Sequence, residues 1–170
     1  YGSSGNGSAS HIAGEKFRIA TGLQVMHVPY RGTPEAINDV MAGRVDWFLL
    51  PLALATPLVA SGKLKALAIS APHRSPLLPD VPTTTEAGFR EVDHKFWVGL
   101  FVPARTPERV AARLHDETVR SLKSDEVRVR FEKLGAQPAP MPKKQFADFV
   151  RDETIATSSL IKQAGIRIEA

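Results

Sequence analysis

Ile12, Ala13, Phe17 and Ala20 fall on one face of a helical projection, behind a Ser8 suited to cap the first turn. Gly22 follows as a stop, so the spacing predicts an amphipathic helix between them. Gln24 to Val28 then alternates polar and apolar residues with the two-residue period of a half-buried strand, and Pro29 ends it. Thr33-Pro34-Glu35 predicts a second helix start. Thr33 is a cap, Pro34 stands where a missing N–H costs nothing, and Glu35 lies near the positive end of the dipole. Ala36, Ile37, Val40 and Met41 form its buried face, and Gly43 closes it. Val45 to Leu50 is apolar apart from Asp46, which suits a strand covered on both faces. A short apolar helix over residues 53 to 60 and a strand from Leu64 to Ile69 complete this half.

Ala71 to Pro82 is proline-rich and reads as an irregular connection. Thr83 and Glu86 have the spacing of a capping box, for one short helix ended by Gly88. Phe96 to Val102 reads as a strand. Thr106-Pro107-Glu108 repeats the earlier helix start, with Val110, Leu114 and Leu122 on its face. Ser124 caps another helix carrying Val127, Phe131 and Leu134, ended by Gly135. A last helix begins near Pro142 and runs past Phe146, Phe149 and Val150. Strands alternating with helices predict an α/β protein with a mainly parallel sheet and helices on both faces.

Composition narrows the function more than the fold. The chain has 170 residues, 43% hydrophobic and 24% charged, which excludes a disordered or fibrous protein. Its longest apolar run, Trp47 to Ala60, contains two prolines and falls short of the ~18 residues of a membrane span. The net charge is +4 and the basic residues are scattered, with local pairs only at Lys63/Lys65 and Lys143/Lys144. Neither pair is interleaved with aromatics, so no nucleic-acid surface is expected. The absence of cysteine removes disulfides, thiolate metal sites and a thiol nucleophile. His27, His73, His94 and His115 have no metal spacing, and neither metal nor cofactor is expected. Tyr1 follows no signal segment, which reads as a processed or excised piece.

Tyr1 to His11 is the richest segment: three glycines and four serines lead straight into a helix amino terminus. Such a segment can cradle an anion, because glycines let several N–H groups converge and the dipole adds about half a positive charge. Nucleotide phosphate is not supported. Gly7 is followed by Ser8-Ala9 where a P-loop needs Lys and Ser/Thr, and position 10 is Ser where a dinucleotide fingerprint needs glycine. A hydrolase would need Ser4 or Ser8 with His11 and an acid partner, and no G-x-S-x-G elbow is present. Tyr30 to Thr33 supplies a second loop at a strand end leading into a second helix. In open α/β sheets, ligands lie beyond the carboxyl ends of the strands. Leu50 and Pro51 stand at the end of the following strand as apolar pocket-wall candidates, while Phe48, Leu49 and Trp97 read as core.

Gly-Ser-Ser-Gly-x-Gly-Ser-x-x-His11, Val28 to Gly32 and Gly43 to Asp46 together resemble the solute receptors of tripartite tricarboxylate transporters, the Bug or TctC family. The likeness continues through Ser61 to Ala68, Leu78 to Thr83, Glu86 to Gly88, Gly99 to Ala104, Leu134 to Ala136 and Ala164-Gly165. It covers essentially the whole chain in order.

The resemblance implies a type II periplasmic-binding-protein architecture with an incomplete two-lobe arrangement. Residues 1–95 would form most of the second lobe and 96–170 the returning, incomplete part of the first. It implies a monomeric periplasmic receptor, not an enzyme. Such a receptor holds a small organic carboxylate and passes it to two integral membrane transporter subunits. Carried over by position, the ligand residues are Ser4, Gly5, Asn6, Gly7, Ser8 and His11, then Tyr30, Gly32 and Thr33, with Leu50 on the third loop. Where many relatives have a polar residue after the third strand, Leu49 to Leu52 is apolar, which favours a carboxylate with an apolar or aromatic body. A chain with half of the cradle is expected not to bind ligand normally alone. The alternatives are an esterase-like hydrolase built on Ser4 or Ser8 with His11, and a ligand sensor docking on a signalling protein.

Overall fold

Three short extended stretches converge near Tyr1 in a computed structural model that describes residues 1–167. β1 (Gly2–Ser3) pairs in parallel with β2 (Val28–Pro29), Gly2 opposite Val28 and Ser3 opposite Pro29. Val28 N–H donates to Tyr1 O at 2.8 Å, and Tyr30 N–H donates to Ser3 O at 3.1 Å. The donors alternate, so Pro29 occupies the one position whose N–H would face away from β1. On the other flank Gly2 N–H donates to Trp47 O at 3.0 Å, and Gly2 forms a parallel bridge with Phe48. β1 therefore lies in the middle of a parallel set with β2 and Phe48 beside it. A separate parallel bridge joins Ile69 to Thr83.

Each of these stretches runs into a helix: α1 (Ala9–Thr21), α2 (Thr33–Met41) and α3 (Leu52–Ala60). Ser8 caps α1 with its Oγ accepting the His11 N–H at 3.3 Å, and Gly22 ends it in the left-handed region at φ +68°. Successive residues of a strand face opposite ways. The Tyr1 ring packs on Gly14 of α1, whereas a Cβ on Gly2 would lie 3.6 Å from Ala36 Cβ of α2. The two helices thus cover opposite faces of the sheet. The predicted α/β layering is present, with Ile12, Ala13, Ala36 and Val45 buried in its core.

The strands are shorter than the apolar pattern predicts. Of Gln24 to Val28 only Val28 lies in β2, and β2 continues through Pro29 instead of stopping before it. Of Val45 to Leu50 only Phe48 makes a bridge, and of Leu64 to Ile69 only Ile69 does. A period-two or apolar run records burial, but a ladder also needs a neighbour running alongside in register. The cap of α2 is Gly32, one residue before the predicted Thr33, and no side chain caps the helix. The Thr83/Glu86 box forms reciprocally: Thr83 N–H donates to Glu86 Oε2 at 2.7 Å and Glu86 N–H to Thr83 Oγ1 at 3.1 Å. It closes a turn and no helix, because Phe89 N–H already bonds back to Thr84 O.

The described chain divides into two compact units, one of residues 1–96 with the segment from Glu153 onward, the other of Trp97–Asp152. The second contains α4 (Glu108–Leu122), α5 (Asp125–Lys133) and the start of α6 (Lys143–Ala164). Ser124 caps α5 as predicted, accepting the Val127 N–H at 3.4 Å. Trp97 packs edge-on to Phe149 at 5.2 Å, and Phe101 lies 5.4 Å from Phe146. Phe96 to Val102 makes no ladder among the described residues. Val98 is 85% exposed and Leu100 65%, so an apolar segment predicted as a strand stands without a strand beside it. No helix of the described residues is long and apolar enough to cross a membrane.

Candidate functional site

The carboxyl ends of β1, β2 and the Phe48 bridge lie side by side, so the loops leaving them share one edge of the sheet. The first is Ser4 to Ser8, the second Tyr30 to Gly32, the third Leu49 to Pro51. The first two touch. A Cβ on Gly5, whose φ is +122°, would stand 3.2 Å from Tyr30 O. Tyr30 N–H meanwhile reaches back to Ser3 O.

The glycine loop is held by its own hydroxyls. Ser10 Oγ, on the first turn of α1, accepts the Ser4 N–H at 3.0 Å and lies 3.1 Å from both Ser4 Oγ and Ser8 Oγ. Ser3 Oγ accepts the Gly5 N–H at 3.1 Å, and Ser8 N–H closes a turn onto Gly5 O at 3.2 Å. Gly7 N–H donates to His11 Nδ1 at 3.0 Å. His11 therefore presents a lone pair at Nδ1 and carries its ring proton on Nε2 when neutral. Among the described residues, no acceptor takes the N–H groups of Asn6, Ala9 and Ser10, nor those of Arg31, Gly32, Thr33 and Glu35. Leu52 and Ala53 at the start of α3 are in the same position. These amides, with the dipoles behind them, are the donors an anionic group would meet at this edge.

The sequence-predicted residues divide by what the structure does with them. Ser4, Gly5, Asn6, Gly7, Ser8 and His11 are brought together in the first loop, where Gly5 meets the Tyr30 carbonyl of the second; Gly32 and Thr33 follow Tyr30 into α2. Tyr30 contributes backbone: its hydroxyl donates to Asp39 Oδ2 at 2.6 Å, along α2. Arg44 and then Tyr30 hold the Asp39 carboxyl below its usual range. Glu35 folds back at the mouth of α2, its Oε2 3.1 Å from where a Gly32 Cβ would stand. Leu50 follows the Phe48 bridge on the third loop, half-buried.

Several organising residues are not evident from the sequence pattern. His27 stacks on His11 with ring centroids 3.7 Å apart and planes 11° from parallel, and its Nε2 lies 2.6 Å from Ser3 Oγ. The Tyr1 ring stacks on His27 at 5.0 Å and on Trp47 at 4.7 Å, while its hydroxyl donates to Glu15 Oε1 at 2.6 Å. Glu15 is buried and also receives Arg18 at 2.7 Å. Burial works to raise the Glu15 carboxyl, but the bonds from Arg18 and Tyr1 outweigh it and hold the group low. Burial and the Glu15 bond push the Tyr1 phenol up. The only prior signal for this cluster was the four-residue step from His11 to Glu15, which places both on one helix face.

Burial lowers the His11 pKa, partly offset by Glu15. Burial and then His11 lower His27 from 6.5 to about 4. Both rings are neutral when folded, so the unfolded chain binds more protons in that interval. Stability is expected to be full above about pH 6.5 and to fall as pH drops toward 4. Thermal unfolding between pH 7.5 and 4 measures this, and His27→Gln should flatten the slope.

An α/β lobe with unsatisfied helix amino termini along the carboxyl edge of a parallel sheet defines a ligand-binding class of fold. Comparison with known proteins specifies it. The family described as tripartite tricarboxylate transporter family receptor matches residues 1–166. The chain belongs to that family. A Pseudomonas sp. (strain P51) protein, "UPF0065 protein in tcbD-tcbE intergenic region", is 31% identical over 95% of this chain and 48% of its own length. The solved structure "R. palustris Rpa4515 with adipate" superposes with a TM-score of 0.86 at 30% identity, over 98% of this chain and 56% of that one. "MatC (Rpa3494) from Rhodopseudomonas palustris with bound malate" gives 0.78 at 32% identity, over 91% and 54%. The fold is that of the periplasmic binding proteins, and the chain spans about half the length of these three relatives.

Proposed function

We propose that the whole protein is a periplasmic solute receptor that captures a small organic carboxylate and hands it to the membrane subunits of a tripartite tricarboxylate-type transporter. The observation that carries this reading is the contact between the Gly5 and Tyr30 loops, which sets two rows of unsatisfied amides at one sheet edge. A carboxylate has four lone-pair sites for such donors and gains from both dipoles. Relatives solved with adipate and malate support the ligand class. The residues proposed for the cradle are Ser4, Gly5, Asn6, Gly7 and Ser8, positioned by His11, with Tyr30 backbone, Gly32 and Thr33 opposite. Leu50 lies against the carbon body of the ligand, which favours an apolar chain over an amino acid.

The hydrolase alternative has weaker support. Ser4 and Ser8 hydroxyls face Ser10 and not an imidazole, and His11 Nδ1 already accepts from Gly7. A base with its lone pair occupied and no serine within reach does not activate a nucleophile.

Calorimetry on the whole protein tests the reading. Saturable binding of adipate or a longer dicarboxylate is expected, with aspartate and glutamate weaker and this chain alone binding none of them. Ester turnover abolished by His11→Ala, or no carboxylate binding at all, would overturn it.

A further inference from the structure

The stacked histidines sit where the glycine loop joins the sheet, and each uses a ring nitrogen to hold that loop. His11 Nδ1 accepts the Gly7 N–H, and His27 Nε2 pairs with Ser3 Oγ, which itself accepts the Gly5 N–H. The two attachments respond differently to a proton. If His27 gains one, its Nε2–H donates to Ser3 Oγ, and the Ser3 hydroxyl hydrogen can turn to Gly5 O, 3.2 Å away. If His11 gains one, Nδ1 becomes a donor facing the Gly7 N–H, and that bond is lost.

We propose that His11 and His27 are a proton-sensitive positioning pair for the glycine loop: the neutral stack holds Ser4 to Ser8 in its gripping conformation, and protonation of His11 at Nδ1 expels the Gly7 amide and opens the loop. The face-to-face geometry makes the device selective for the first proton. A second positive ring 3.7 Å from the first meets direct repulsion, so the pair takes up one charge well before two. The charged and titratable groups around it are few. On α1, Glu15 faces His11 and favours its cation, while Arg18 neutralises Glu15. From the start of the chain the Tyr1 phenol stacks on His27 and ties up Glu15, while the Tyr1 ammonium, bonded to Met26 O, disfavours a proton on His27. From the segment after α6, Arg167 lines the same open depression as Asn6, His11, Glu15 and Arg18. Burial keeps both rings neutral at neutral pH, which is the state the loop requires. The consequence for ligand capture, tight when neutral and weak in acid, rests on the receptor function proposed above. The loop response itself does not.

The test reads the loop without ligand. In ¹⁵N-labelled protein, the His11 ring nitrogens and the Gly7 amide are followed from pH 7.5 to 4. The expected result is an unprotonated Nδ1 at neutral pH. The Gly7 protection factor, corrected for intrinsic exchange, should fall at least tenfold as that nitrogen protonates. His11→Asn keeps an acceptor for Gly7 but cannot titrate, and its Gly7 protection should stay flat. A protonated Nδ1 at neutral pH, an unmoved Gly7 across the wild-type titration, or the same pH response in His11→Asn each overturns the proposal. The wild-type ring and amide signals decide it even where the variant does not fold. Failure of carboxylate binding alongside an intact loop response would instead count against the receptor function alone.

Discussion

Gly5→Ala in the whole protein is expected to weaken carboxylate binding by about tenfold or more, with a smaller loss of stability. At φ +122° a side chain is strained wherever it points, at a cost of about 1–3 kcal/mol. Here the new Cβ would also meet Tyr30 O at 3.2 Å, and that carbonyl belongs to the second loop. The cheapest relief is to part the loops, which separates the two rows of amides. A tenfold loss of affinity corresponds to about 1.4 kcal/mol, well inside the strain available. Gly22→Ala is the control: its φ is +68° but a Cβ would meet nothing within 4 Å, so stability alone should fall. Calorimetry beside thermal unfolding separates the effects. Unchanged affinity in a destabilised Gly5→Ala protein would remove the loop contact from the site.

Gly14→Val is expected to be the most destabilising single change in α1. A Cβ at this position would stand 2.2 Å from Tyr1 Cε2 and within 3 Å of two further ring atoms. The ring has little freedom to retreat, being stacked on His27 and Trp47 and bonded through its hydroxyl to buried Glu15. Overpacking of this kind costs roughly 1–3 kcal/mol and at times more, and a β-branched residue recovers little helix propensity. We expect a loss of about 3 kcal/mol, read as a lower denaturant midpoint with an unchanged slope. Displacing Tyr1 also disturbs His27, so the loop should lose order in the same variant. A midpoint equal to that of the parent would show that the ring has somewhere else to go.

Local chemistry made much of the helical framework legible. Ser8 and Ser124 are caps because a serine before an apolar helical period satisfies an exposed N–H, whatever packs on the helix later. Gly22 and Gly135 are stops because only glycine takes the left-handed turn freely. Thr83 and Glu86 bond each other as their spacing predicts. Local rules failed where the neighbour decides. Phe96 to Val102 has the composition of a strand and, among the described residues, no strand beside it, so its apolar side chains end exposed. Val45 to Leu50 reads as fully covered, yet among the described residues only Phe48 forms a bridge, with the Trp47 carbonyl bonded to Gly2 beside it.

The candidate site divides the same way. The glycine and serine content of residues 2–8 and the helix behind them make the loop of free amides legible in the sequence, because backbone amides and a dipole are properties of a short segment. Which hydroxyls face inward was not visible: Ser10 emerged as their common partner, and Tyr30 turned its phenol away to Asp39. The stacking of His11 on His27 joins residues sixteen positions apart, through a parallel pairing that no local period encodes. By itself the sequence determined the α/β alternation and the helix ends at Ser8, Gly22, Ser124 and Gly135. Tertiary structure alone decided that two loops share an edge and that two neutral imidazoles brace one of them, since both depend on parallel strands meeting across a distance in sequence.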